Sequence, residues 1–245
     1  MSRFYAVVEY DGANYNGFQI QNNGITIQEV LEKSLSTLLG EPIKVVASGR
    51  TDSEVSARGQ VIHFDSNTTI PAEKVPFAIE RLLPKDISIT SCKVVSSDFH
   101  ARYSAKRKTY SYTVYFSKVN RPLYDKAYRF PYDIDRELLK EACSKLIGEH
   151  DFRAFMATGS SIKGTIRTIY DIRIKEGKDM LKIYIEGNGF LYNMVRIIVG
   201  TTLDIARGRL PLDTIDNMLK NGDRAIGGHT APAHALCLEC VKYND

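Results

Sequence analysis

Several familiar kinds of chemistry are missing from this chain of 245 residues. It has no tryptophan and only four cysteines: Cys92, Cys143, Cys237 and Cys240. The last two form a C-x-x-C, a spacing used by metal and redox sites. The one C-x-x-C, at 237–240, lies in the strand-like segment ALCLECVKY, where residues three apart face opposite ways. No second C-x-x-C and no Cys–His pair completes a tetrahedral set, so the cysteines are read as reduced and structural. The five histidines, at 63, 100, 150, 229 and 234, lack metal-ligand spacing. The chain has no phosphate loop of the G-x-x-x-x-G-K-[ST] type, no H-E-x-x-H, no G-x-S-x-G and no dinucleotide fingerprint. The expectation is chemistry without cofactor or metal, carried by carboxylate, arginine and tyrosine.

Long apolar runs are missing too. The longest, around MVRIIVG, is interrupted by Arg196 and is too short to span a bilayer. The opening MSRFYAVVEYDG moves directly into strand-like alternation without the apolar core of a secretory signal. A soluble, cytoplasmic protein with no membrane partner is expected. The formal charge is only +4, with an isoelectric point near 8.7. That balance suits a polyanionic partner without requiring one.

Hydrophobic residues make up 43% of the chain, enough for a proper core. FYAVVEY (4–10) alternates as a strand and ends at the turn signal Asp11-Gly12. TIQEVLEKSLSTLLG has a capping box, Thr26 to Glu29, then apolar residues at helical spacing up to Gly40. Strands follow at about 43–48 and 60–65, then a helix over PAEKVPFAIERLLP and a strand at about 87–95. The order βαββαβ is that of a ferredoxin-like unit.

KTYSYTVYFS, RELLKEACSKLIG, TIYDIRIKE, MLKIYIEG, FLYNMVRIIVGTTLDIARG and ALCLECVKY repeat this outline, with Gly148 ending the first of these helices. The expected fold is α+β: two ferredoxin-like halves, 1–100 and 101–245, with antiparallel sheets side by side and an active-site cleft between them.

Three stretches carry possible chemistry. SGRTDSEVSARGQV (48–61) holds Arg50 and Asp52 between two apolar runs. An aspartate kept ionised by a nearby cation can act as a nucleophile; the plainer reading is a turn aspartate bonding to local backbone. HARYSAKRKTYSYTVY interleaves basic and aromatic residues, which suits phosphate contacts and base stacking, or simply a linker feeding a strand. EGNGFLYNMVRIIVG places Arg196 within an otherwise apolar helix face. An arginine buried there needs a carboxylate partner; a surface arginine on an amphipathic helix does not.

Together with YDGANYNGFQIQ, GQVIHFD, GEHDFRAF and TAPAHALCL, these stretches resemble, in order and across nearly the whole chain, the TruA family of tRNA pseudouridine synthases. The resemblance implies an isomerase that breaks the N1–C1′ bond of uridine, turns the uracil over and joins C5 to C1′, without cofactor. Asp52 corresponds to the family's nucleophile, which attacks C1′ or C6 or supports elimination to a glycal. Tyr110 corresponds to the tyrosine that stacks on the target uracil and assists proton removal from C5. Arg196 corresponds to the arginine that orients the aspartate and keeps it ionised.

On the same basis Arg50 helps draw out the uridine or hold phosphate, since C1′ and C6 are inaccessible within a stacked stem. Leu191 and Tyr192 line the base pocket, and Arg102, Lys106, Arg107 and Lys108 are candidate phosphate contacts. The implied substrate is tRNA, at positions 38, 39 and 40 of the anticodon arm, and the implied assembly is a homodimer.

The chain departs from the family's usual GRTDAGVHA: Ser53, Glu54 and Ser56 stand for Ala, Gly and His, and Ala235 replaces a glycine before the final strand. A glutamate turned toward Asp52 is expected to raise its pKa and repel RNA; turned to solvent, it costs little. The alternatives are a divergent paralogue modifying a different RNA uridine, an RNA-binding module without catalysis, and a carboxylate glycosidase acting on a small nucleoside. The last needs a second acid, for which only Glu54 is near.

Overall fold

The opening alternation forms a strand whose two faces have different tasks. The computed structural model describes residues 1–159 and 164–244. Strand β1 (Ser2–Tyr10) buries Phe4, Ala6, Val8 and Tyr10 along one face. The helix α1 (Ile27–Leu39) starts where the capping box predicts, with the Thr26 side chain accepting from the Glu29 backbone N–H at 3.4 Å. It ends at Gly40, whose φ of +69° lies in the left-handed region that glycine adopts without strain. Its inward stripe contains Ile27, Leu31 and Leu35, and also the buried Glu32. That carboxylate is satisfied by the Val45 N–H at 3.2 Å and by Lys44 Nζ at 2.7 Å, as a buried charge requires.

Strands β2 (Val46–Ala47) and β3 (Ser56–Ser66) flank the polar stretch. The helix expected over 71–84 is broken. A 3-10 turn, Ala72–Lys74, leads into α2 (Val75–Ile79), and a second turn, Glu80–Leu82, follows. Pro71 and Pro76 contribute no backbone donors, and only Ala72, Val75 and Ile79 reach the core. Strand β4 (Ile87–Val95) then pairs with β1. All pairings here are antiparallel, β1 with β3 and β4, and β2 with β3, which gives the order β4-β1-β3-β2.

The second half starts with β5 (Arg107–Phe116), β6 (Tyr128–Phe130) and α3 (Arg136–Ser144). Asp135 caps α3, its side chain accepting from the N–H groups of Glu137 and Leu138 at 2.9 and 3.0 Å. Gly148 does not end this helix; it begins β7 (Gly148–Asp151) at φ +117°. β8 (Ile166–Glu176) and β9 (Met180–Gly187) form a hairpin around Gly177, whose N–H donates to Met180 O at 2.7 Å.

Next come α4 (Met194–Ala206), α5 (Thr214–Asn221) and finally β10 (Leu236–Lys242). β5-β9-β8-β7 is an antiparallel run, and β6 lies parallel to β5. The closing strand pairs in parallel with the start of β3, Cys237 opposite Ser56 and Leu238 opposite Ala57. Two units result: Met1–Lys106 with Cys237–Asp245, and Arg107–Leu236. The chain is thus a mixed α/β protein with mostly antiparallel pairing. No helix among the described residues is long and apolar enough to cross a membrane.

Around Arg3 and Tyr5 the outer face of the first sheet is covered by chain. Arg3 makes a bidentate pair with Asp65, 2.8 and 2.7 Å, and donates to Ser97 O and Phe99 O at 2.6 and 3.0 Å. Tyr5, Phe99 and Tyr243 form an aromatic cluster with centroids 4.9 to 5.8 Å apart.

Candidate active site

The polar stretch 48–55 is held from below and from the side. Below it, Tyr10 Oη lies 2.8 Å from Thr51 Oγ1. Gln60 Nε2 donates to Gly49 O at 2.9 Å, and Ser48 Oγ donates to Gln60 Oε1 at 2.7 Å. Ser48, Thr51, Gln60 and Tyr10 are all buried. Burial drives the Tyr10 phenol far above its ordinary pKa, so it is a neutral hydroxyl at any physiological pH.

The sideways support comes from DGANYNGF, which the sequence alone marks only as a turn. Phe18 N–H donates to Thr51 O at 3.1 Å, and Glu54 N–H donates to Tyr15 O at 3.3 Å. Gly12 N–H donates to Ser56 Oγ at 3.1 Å, so Ser56, in place of the usual histidine, has a local hydrogen-bonding task. A Cβ on Gly12 would stand 2.2 Å from Val55 O, and one on Gly17 would stand 2.8 Å from Thr51 O. Both approaches are too close for any side chain. This is why a glycine-rich segment far upstream accompanies the aspartate loop.

Asp52 emerges from this frame half-buried, and Arg50 is exposed. Val55 N–H donates to Asp52 O at 3.2 Å, closing the loop through backbone and leaving the carboxylate to its own partners. Glu54 has φ +68°, which explains the glycine usually found there: an L-residue in that region is strained by about 1–2 kcal/mol. Its side chain is exposed. Ala235 is buried with no positive φ, so the loss of a glycine there carries no backbone strain.

In the second unit, Tyr110 lies on β5 opposite Ile185. It is 9% exposed, and its ring meets Phe190 edge-on at 5.2 Å. α4 is buried at every position except Arg196, which is half-buried. Arg196 Nε donates to Ala231 O at 2.6 Å, Nη1 donates to Asn193 Oδ1 at 2.8 Å, and Ala231 N–H returns a bond to Arg196 O at 3.1 Å. Two of its donor directions are therefore fixed within its own unit. Asn193 takes the left-handed conformation, φ +60°, at the head of α4, and just before it lie buried Leu191 and exposed Tyr192.

The segment carrying Ala231 is tied down in turn. Asp204 is fully buried. It accepts from the His229 backbone N–H at 3.2 Å, lies 3.0 Å from His229 Nδ1 and pairs with Arg207 at 2.9 Å. Burial opposes its charge, but the His229 hydrogen bonds and Arg207 outweigh it and hold the carboxyl below the usual range. A Cβ on Gly200 would stand 1.8 Å from His229 O, so the segment lies directly on the helix.

The candidate residues thus divide between the units. Asp52, Arg50, Arg102 and Lys106 belong to the first; Tyr110, Leu191, Tyr192, Arg196, Arg107 and Lys108 belong to the second. Arg102 and Lys106 are exposed. Arg107 lies 3.4 Å from Glu186 and 4.4 Å over the Tyr170 ring, so its charge is partly engaged by protein. Lys108 sits in register with Gly187. Sequence reasoning missed the supporting residues Tyr10, Gly12, Gly17, Gln60 and Asp204; the signal for the glycines was their spacing in DGANYNG. Among the described residues no group of three or more His, Cys, Asp or Glu is arranged to hold a metal ion.

Comparison with known proteins gives a consistent result. A family model described as tRNA pseudouridine synthase matches residues 6–104 and 142–244. The tRNA pseudouridine synthase A of Thermoanaerobacter sp. (strain X514) is 46% identical over 244 residues, 99% of this chain and 100% of that protein. That of Bacillus subtilis (strain 168) is 44% identical over 248 residues, with the same coverage. A solved Cbf5–Nop10–Gar1 complex matches at a TM-score of 0.45 and 11% identity, over 96% of this chain and 48% of that one; the assignment rests on the full-length relatives.

Proposed function

The chain belongs to the tRNA pseudouridine synthase A family and is an isomerase, and from that premise we propose that it converts uridine to pseudouridine at positions 38, 39 and 40 of the tRNA anticodon arm, with Asp52 as nucleophile and no cofactor. The single observation that carries the proposal is the frame around 48–55: a half-buried carboxylate on a loop fixed by a buried hydroxyl, a buried amide and two glycine contacts. A turn aspartate needs no such frame. A nucleophile does, because its carboxylate must meet one carbon atom at one angle.

In this reading the target uridine leaves the stem before reaction, as an enzyme acting at C1′ and C6 requires. Tyr110 stacks on the extruded uracil and assists loss of the C5 proton, in a ring position fixed by Phe190. Arg196 orients Asp52 and holds it ionised; lysine cannot reproduce that planar fork. Leu191 and Tyr192 line the base pocket, and Arg50 helps draw out the uridine or holds phosphate. Arg102, Lys106, Arg107 and Lys108 contact the RNA backbone. We assign the working form as a homodimer, and read 1–100 and 101–245 as ferredoxin-like halves, a reading supported in the first by the order β4-β1-β3-β2.

The exposed side chain of Glu54 favours the synthase over a glycosidase, which needs two acids facing one bond. Mapping pseudouridine in unmodified tRNA after incubation with the protein tests the proposal. Modification at 38, 39 or 40 is expected; modification confined to other uridines would transfer the chain to a different target.

A further inference from the structure

Loop 99–104 holds one aromatic ring out in water, and it does so by construction. Tyr103 is 77% exposed. Everything behind it is pinned: buried Ala101 donates its N–H to His63 Nδ1 at 3.1 Å, and its carbonyl accepts from Tyr243 Oη at 2.8 Å. His100 N–H donates to Ser104 Oγ at 3.0 Å, and Ser104 N–H returns a bond to His100 O at 2.9 Å. His100 Nδ1 accepts from the N–H groups of Arg102 and Tyr103 at 3.2 and 3.3 Å.

The rings continue the support. His63 lies 4.9 Å from His100, and His100 lies 4.3 Å from Tyr103 at an interplanar angle of 33°. A mobile surface tyrosine has no such backing. A ring ordered in advance loses little entropy when a flat partner settles on it.

We propose that Tyr103 is a stacking platform for one unpaired nucleobase of the bound RNA, with Arg102 and Lys106 taking the flanking phosphates. Arg102 Cζ lies 5.8 Å from the centre of the Tyr103 ring, and both basic side chains are exposed. An exposed aromatic beside Arg102, with exposed Lys106 three residues along the chain, fits an unpaired nucleotide, which offers a π-face next to negative charge. A base inside a duplex has both faces covered by its neighbours. The inference rests on the proposal that the chain acts on tRNA, and it adds a second base-binding position, separate from the one assigned to Tyr110.

The test measures binding of unmodified tRNA by wild type, Tyr103→Ala, Tyr103→Phe and Arg102→Ala across a salt series. Tyr103→Ala should weaken binding about 5- to 100-fold with the salt slope unchanged. Tyr103→Phe should stay within about twofold, and Arg102→Ala should lower the slope by about one. A blunt RNA duplex should bind wild type and Tyr103→Ala alike.

Tyr103→Ala within twofold of wild type on tRNA would overturn the platform, as would a loss of the same size on the duplex. A Phe variant as weak as Ala would also overturn it, by pointing to the hydroxyl instead of the ring. Wild type that binds tRNA through Tyr103 but forms no pseudouridine leaves the platform standing and removes the catalytic proposal. Wild type that binds no tRNA removes both.

Discussion

Tyr10 Oη and Thr51 Oγ1 lie 2.8 Å apart beneath the loop that carries Asp52, both side chains out of water. Strand β1 and the loop are 41 residues apart in sequence, so this contact transmits the rigidity of the sheet to the proposed nucleophile. Tyr10→Phe keeps the ring and removes one hydroxyl. It should lower stability by about 1–2 kcal/mol, because Thr51 loses its buried partner. Single-turnover measurements should show the rate falling more than tRNA affinity; equal losses would make the contact purely structural.

Gly12→Ala should be far more damaging than Gly40→Ala. The first would place a Cβ 2.2 Å from Val55 O, a backbone atom unable to yield without moving the loop. At Gly40 nothing lies within 4 Å, and only the φ of +69° opposes a side chain, at about 1–2 kcal/mol. Urea unfolding and tritium release measured on both variants should show activity lost in Gly12→Ala and kept in Gly40→Ala.

Glu54→Gly should raise stability by about 0.5–1 kcal/mol. Relief of the left-handed strain exceeds the added freedom of glycine in the unfolded chain. Denaturant midpoints at unchanged slope would register the gain. Because the Glu54 side chain is exposed, pseudouridine formation should change little.

Much of this was legible in the sequence, and the exceptions have physical causes. The capping box at Thr26, the left-handed Gly40 and the alternation of β1 depend on local chemistry, and local chemistry is what sequence displays. The 3-10 turns on either side of α2 and the early end of α3 at Ser144 were not legible, because apolar spacing shows what is buried and not whether the backbone stays α-helical: Leu146 is buried beyond the end of α3. Asp52, Tyr110 and Arg196 are proposed from motifs, which sequence displays. Tyr10, Gln60 and Asp204 were missed, because a buried polar residue looks ordinary until its partner, 41, 11 or 25 residues away, is known.

His63 predicts a pH dependence. Burial, assisted by the charge of Arg3 and by His100, lowers its pKa to about 4, against about 6.5 in an unfolded chain. Between those values the unfolded state binds more protons, so stability should fall as pH drops from about 6.5 toward 4 and should gain nothing from His63 above that window. His63→Gln retains an acceptor for the Ala101 N–H and should flatten this part of the profile, read as urea midpoints at half-unit pH steps. An unchanged profile would show that His63 does not titrate there.

The central claim is that Asp52 performs the isomerisation. Tritium release from C5-labelled uridine in tRNA, comparing wild type with Asp52→Ala while both are shown to bind tRNA, tests it most directly. Release by wild type alone is predicted, since the other carboxylate of that loop, Glu54, is exposed. Equal release from both proteins, or none from either despite firm binding, would contradict it.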